Sequence, residues 1–138
     1  MKSVSTPIAI LTSTLLCLLL SGAVTAQQAD IGQESLAGSW AGTLVIGRDS
    51  FDMTFNLTRD EDSFNAALIS RQLGIYGMPA ESVVLKNNRI TIRLEILAAE
   101  YTGRLKMDES GSEIAFIDGE WFQEGEMVPV ILRPAESQ

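Results

Sequence analysis

The sequence predicts an all-β protein: a single small antiparallel barrel of about eight or nine strands, behind an export signal. Three observations predict it. Apolar and polar residues alternate with a period of two in two long runs. Clusters of Gly, Asn, Asp and Ser interrupt the strand-like runs at short intervals. No stretch after the export signal carries a helical stripe of apolar residues. A long antiparallel meander must hide its edges, and closing into a barrel does so.

The first element is the signal, residues 1–26. Lys2 gives it a positive start, and Ile8 to Leu20 are apolar except for Thr12, Ser13 and Thr14. Val24 and Ala26 occupy the positions a signal peptidase reads, so cleavage is expected after Ala26. The run is too short to span a bilayer, which takes roughly 20 apolar residues. No stable membrane span is therefore expected after cleavage. Leu15 and Leu16 precede Cys17 where a lipoprotein signal wants small residues, so no lipid attachment is expected. The mature chain is expected in the periplasm or outside the cell. It begins with a flexible leader, 27–37, which has no periodic pattern. The barrel spans 38–134, and 135–138 form a short tail.

Within the barrel, Trp40, Gly42 and Leu44 share one face of the first strand. Next comes FDMTFNLT, where Phe51, Met53, Phe55 and Leu57 alternate with Asp52, Thr54, Asn56 and Thr58. Phe64, Ala66 and Leu68 mark a weaker strand. RQLGIYGMP, residues 71–79, reads as a loop because Gly74 and Gly77 punctuate it. Its Leu73, Ile75, Tyr76 and Met78 make it an apolar loop: a lid or partner surface, or a cap folded over the barrel end. In RITIRLEI, Ile90, Ile92, Leu94 and Ile96 face inward. The phase then shifts to Tyr101, Gly103 and Leu105, which puts a turn or bulge in 97–100. Val128, Val130 and Leu132 mark the last strand. Turns are expected at 47–50, 59–62, 86–88, 108–111 and 123–126.

Aromatic-x-Gly-x-Leu occurs at Trp40–Leu44 and again at Tyr101–Leu105. A narrow barrel interior needs small residues beside large rings, and Gly42 and Gly103 supply that room. Trp40 is then a plug near one barrel end. Trp121 shares a face with Gly119 and is assigned to the interior, with Phe122 outward. The candidate ligand site is a barrel mouth beneath the 71–79 loop, with Tyr76 as a movable cap and Tyr101, Trp121 and Trp40 as apolar walls.

Composition excludes several chemistries. The chain has no histidine, and its one cysteine lies in the signal. A Ser-His-Asp triad, a Cys-His pair and an ordinary zinc site are ruled out, so no metal or cofactor is expected. Eighteen acidic residues against ten basic ones, net −8, make nucleic acid a poor partner. Ser70 has no base to activate it, so it is read as a strand-end serine. Glu95, Glu100, Asp118 and Glu120 match no calcium-loop spacing and are read as solvated strand faces and turns.

GSWAGTL at 38–44 resembles the Gly-x-Trp opening of lipocalin-like barrels. The ordered set of this motif, FDMTFNLT, SFNAALISRQLGIYGMPAESV, AAEYTGRLK and GEWFQEGEMVPVILR resembles the small β-domain in front of the catalytic domain of exported bacterial α/β-hydrolases and esterases. The resemblance covers about Gly38 to Arg133. It implies a stand-alone copy of an accessory domain, because the sequence holds no Gly-x-Ser-x-Gly nucleophile elbow. Where that family often has Pro-Asp-Gln after its serine, Arg71 and Gln72 follow Ser70. LAGSW at 36–40 also resembles the opening of small bacterial protease-inhibitor barrels, which usually carry a disulfide that this chain lacks. The expected function is a non-catalytic exported module that binds an apolar small molecule, a lipid or an exported protein partner. The alternative is an inhibitor or accessory partner of an exported hydrolase or protease.

Overall fold

The computed structural model describes Ser3 and residues 35–135; the rest of the expected signal, residues 27–34 of the leader and tail residues 136–138 lie outside the described residues. Nine strands follow one another: β1 (Gly38–Ile46), β2 (Asp49–Asp60), β3 (Ser63–Ser70), β4 (Ile75–Pro79), β5 (Ser82–Lys86), β6 (Arg89–Leu94), β7 (Ala99–Met107), β8 (Ile114–Gln123) and β9 (Glu126–Pro134). All neighbours are antiparallel. They form one meander sheet that curls through 260° into a half-barrel.

The order across the sheet is β4-β3-β2-β1-β9-β8-β7-β6-β5. The first and last strands therefore meet in the middle, through Trp40 opposite Pro134 and Ala41 opposite Arg133. The Ala135 N–H extends that junction to the Ser39 carbonyl at 2.8 Å. The expected closure all the way round is not made by hydrogen bonds. The sheet ends on β4 and β5, consecutive strands joined by Ala80 and Glu81. The Ala80 N–H prolongs the β3–β4 ladder to the Ala66 carbonyl (2.8 Å). The Glu81 N–H opens the next ladder at the Arg93 carbonyl (2.9 Å). The chain thus leaves one ladder and joins another within two residues, and the edge falls at that switch.

Alternation places the core on the concave face. Leu44, Met53, Phe55, Leu57, Leu68, Ile90, Ile92, Leu94, Ile117, Val130 and Leu132 are all buried there. The five expected turns occur where the sequence puts them, and each carries positive φ: at Gly47, Glu61, Asn87 with Asn88, Gly111, and Glu124 with Gly125. The one at 108–111 is tied by Asp108, whose Oδ1 accepts from the Ser110 hydroxyl (2.7 Å) and the Ser112 N–H (3.2 Å). The Ser110 hydroxyl bond, with the backbone N–H groups behind it, holds the Asp108 carboxyl below its usual range.

Three expectations are corrected. The 71–79 stretch is not a loop: Arg71–Leu73 form one 3-10 turn, and β4 follows, paired with β3 across a bulge between Leu68 and Ile69. The strand at 89–96 stops at Leu94. Glu95–Leu97 form a second 3-10 turn ended by Ala98 in the left-handed region (φ 49°), so Ile96 is 72% exposed instead of inward. The leader is not loose at its end, because Leu36 is fully buried and its carbonyl accepts the Trp40 indole N–H at 2.8 Å.

Candidate functional site

The interior that was to hold a ligand is occupied by side chains. Tyr101 on β7 is fully buried, with its ring centroid 5.8 Å from that of Phe55 on β2. Its hydroxyl donates to the Val130 carbonyl at 3.0 Å, and the Ile117 carbonyl lies at 3.5 Å. Burial, aided by the Asp118 charge, pushes this phenol well above its ordinary pKa. A lane of glycines makes room for it. Gly103 and Gly119 are directly opposite each other on β7 and β8, and the phenol lies against both. A Cβ on Gly119 would collide with the Tyr101 hydroxyl and sit 2.5 Å from the Thr102 carbonyl oxygen.

The glycine reasoning from sequence is thus correct at Gly103 and needs revision at Gly42. There, a Cβ would meet the Ile131 carbonyl oxygen at 2.6 Å and the Leu132 side chain at 2.9 Å. Gly42 admits β9, not the Trp40 ring. Gly119 serves Tyr101 on the opposite strand.

The proposed mouth residues are not assembled around one opening. Trp121 is buried opposite Tyr101; its indole N–H donates to the Gln123 amide oxygen (3.1 Å), and the Gln123 amide donates to the Leu97 carbonyl (3.0 Å). Trp40 is buried on β1. Tyr76 is 78% exposed on the outer face of β4, so it does not cap these rings. Ile75 points into the core, Met78 packs against it, and Leu73 is exposed on the 3-10 turn. Ser70 is buried, and its hydroxyl has no hydrogen-bond partner among the described residues.

The clefts lie on the outside. One of about 620 Å³ is lined by Arg93, Glu95, Glu100, Phe122 and Glu124 at the end that carries the second 3-10 turn. Arg93 and Glu100 form an exposed ion pair there at 3.5 Å. A second, about 560 Å³, follows the β1–β9 junction past Ala41, Thr43, Pro129 and Ile131. A third, about 250 Å³, lies over β6–β8 between Arg89, Arg104, Lys106, Asp118 and Glu120. Sequence reasoning put Asp118 and Glu120 on solvated faces or turns but overlooked Arg89, Arg104 and Lys106 beside them, although alternation alone assigns those side chains to the outer face.

No family model, curated protein or solved structure matches the chain.

Proposed function

We propose that this is an exported, non-catalytic β-module that acts by binding a protein partner on its outer surface. The observation that supports it is the filled interior: Tyr101 spans from β7 to the β9 backbone over a glycine lane cut to its shape. Small barrels packed this way have no room for a ligand, so recognition moves to the outside. Pairing of the first strand with the last supports reading the sheet as a lipocalin-like barrel interrupted between β4 and β5. The resemblance to accessory domains of exported hydrolases makes an exported hydrolase or protease the partner class to try first. The absence of histidine from the sequence supports a non-catalytic role.

The test is twofold. Tryptophan fluorescence of the mature chain, titrated with fatty acids, isoprenoids and an apolar dye, should show no saturable change. Affinity capture from the exported fraction of the source cells should recover a partner in stoichiometric amount. A saturable fluorescence change would overturn the reading in favour of a small-molecule carrier.

A further inference from the structure

We propose that the outward row of Lys86, Arg89 and Arg104, with Lys106 beside it, is a docking surface for an acidic segment of the protein partner. The inference rests on the partner-binding reading above and assigns that partner a chemistry.

The row is fixed by register. Lys86 and Arg89 are directly opposite each other across the Asn87–Asn88 turn, whose φ angles are 52° and 61°. Arg89 is in turn opposite Arg104 on β7. The Leu105 N–H donates to the Asn88 carbonyl at 2.8 Å, which carries the β6–β7 ladder into the turn and holds Arg104 in place. Lys106 lies two residues along the same outward face of β7. Neighbouring strands are about 4.8 Å apart, so three cations stand abreast at that spacing. Like charges directly opposite on a sheet destabilise it, by a few tenths of a kcal/mol to about 1 kcal/mol for each pair. This row contains two such pairs. Among the described residues, none of the four forms an ion pair; the pair present is Arg93–Glu100. Four of the ten cations of a chain with net charge −8 are thus gathered, unpaired, on one face.

The surroundings select the occupant. Asp118 stands opposite Arg104, and Glu120 opposite Thr102, along the β8 border of the row. Both lie within a Debye length, about 8 Å at physiological salt, of anything that covers the row broadly. A wide anionic surface such as a membrane would meet those carboxylates and the net negative charge of the whole chain. A narrow acidic segment lying over β5, β6 and β7 meets Asp118 only at its Arg104 edge and keeps its other carboxylates over Lys86 and Arg89, away from both. Its carboxylates can take the guanidinium forks of Arg89 and Arg104 two bonds at a time. Docking such a segment also relieves the like-charge repulsion that the isolated fold tolerates.

The experiment uses the mature chain and a fluorescent octaglutamate peptide, read by anisotropy at low and at physiological salt. Binding should be saturable and should weaken as salt rises. The Arg89→Gln/Arg104→Gln double variant should bind about tenfold more weakly or worse, having lost two charge-assisted contacts. Arg48→Gln/Arg59→Gln, which removes the same charge from the β1–β2 turn and the end of β2, should bind as wild type does. Because it removes like-charge pairs, the Arg89/Arg104 variant should melt no lower than wild type, which separates lost binding from lost folding. Several outcomes overturn the proposal: no saturable peptide binding, equal loss in both double variants, or binding to phosphatidylglycerol vesicles without binding to the peptide. An exported partner captured equally well by the Arg89/Arg104 variant would overturn this surface while leaving the partner reading standing. A saturable apolar ligand would overturn the partner reading itself.

Discussion

Gly119→Ala tests the packing on which the filled interior depends, and two opposing effects can be weighed. Alanine restricts the unfolded chain more than glycine, which favours the variant by about 0.4–1 kcal/mol. Against this, the new methyl would overlap the Tyr101 hydroxyl and come within 2.5 Å of both the Tyr101 ring and the Thr102 carbonyl oxygen. Overpacking a core costs about 1–3 kcal/mol. The upper end applies, because the Thr102 oxygen is backbone and cannot rotate away. If the ring is displaced, its bond to the Val130 carbonyl goes as well, at about 1 kcal/mol. The net loss is about 3 kcal/mol. For a domain of this size, each kcal/mol moves Tm by about 4–8 °C, so melting should fall by roughly 12–24 °C. Circular dichroism melting of the mature variant against wild type measures it. Tyr101→Leu combined with Gly119→Ala should recover part of the loss relative to the sum of the single changes. A neutral or stabilised Gly119→Ala variant would refute the placement of the phenol, and with it the filled interior.

Three further outcomes are expected. Ile92→Asp should cost about 4 kcal/mol or more in chemical denaturation, because Ile92 is fully buried; Arg93→Asp, one residue on and outward, should cost under about 1 kcal/mol, and equal effects would mean the register is wrong. Ser70→Ala should be neutral or stabilise by up to about 1 kcal/mol, since it removes a buried hydroxyl with no partner; a marked loss in a thermal melt would mean that the hydroxyl is bonded. Tyr101 has its folded pKa raised above the unfolded value of about 10, so its contribution is complete below that pH, and stability is lost as pH rises beyond it, where the unfolded chain sheds the proton first. Tyr101→Phe should flatten the fall in Tm above pH 10, and an unchanged alkaline slope would contradict the burial.

What could be read from the sequence follows from which positions carry local physical demands. The turn at Asn87 and Asn88 was legible because left-handed backbone selects such residues. Strands β2 and β6 were legible because each has one face in the core and one in water. β4 was not: Gly77 and Pro79 punctuate it like a loop, and an edge strand can tolerate both. The break after Leu94 was placed slightly late, because Ala98 takes a left-handed conformation without being a residue that announces one. Leu36 lies in a leader whose apolar residues, Ala29, Ile31 and Leu36 among them, follow no strand or helix period, so no periodicity could mark it as core. The interior was only partly legible for a related reason. Alternation correctly put Trp40, Tyr101 and Trp121 inside, but it does not say whether an interior is hollow. That depends on cross-strand neighbours such as Gly103 and Gly119, which sequence spacing alone does not pair.

The same register explains how an incompletely paired sheet remains a defined end product. An exposed edge strand invites pairing with another chain, and the sheet ends on two of them. β4 is guarded in two places: Gly77, unpaired between Tyr76 and Met78, bulges out of the ladder at φ 114°, and Pro79 has no N–H to offer. β5 is only five residues long and ends on Lys86, the first member of the cationic row. Adding a second copy of β5 edge to edge in parallel register would set Lys86 of one chain beside Lys86 of the other, with no apolar face gained by Val84 beyond its own exposed side chain. The charges that disfavour the isolated row are therefore placed where they also protect an edge. What the row disfavours least is a strand of opposite charge, and that is the chemistry assigned to the partner.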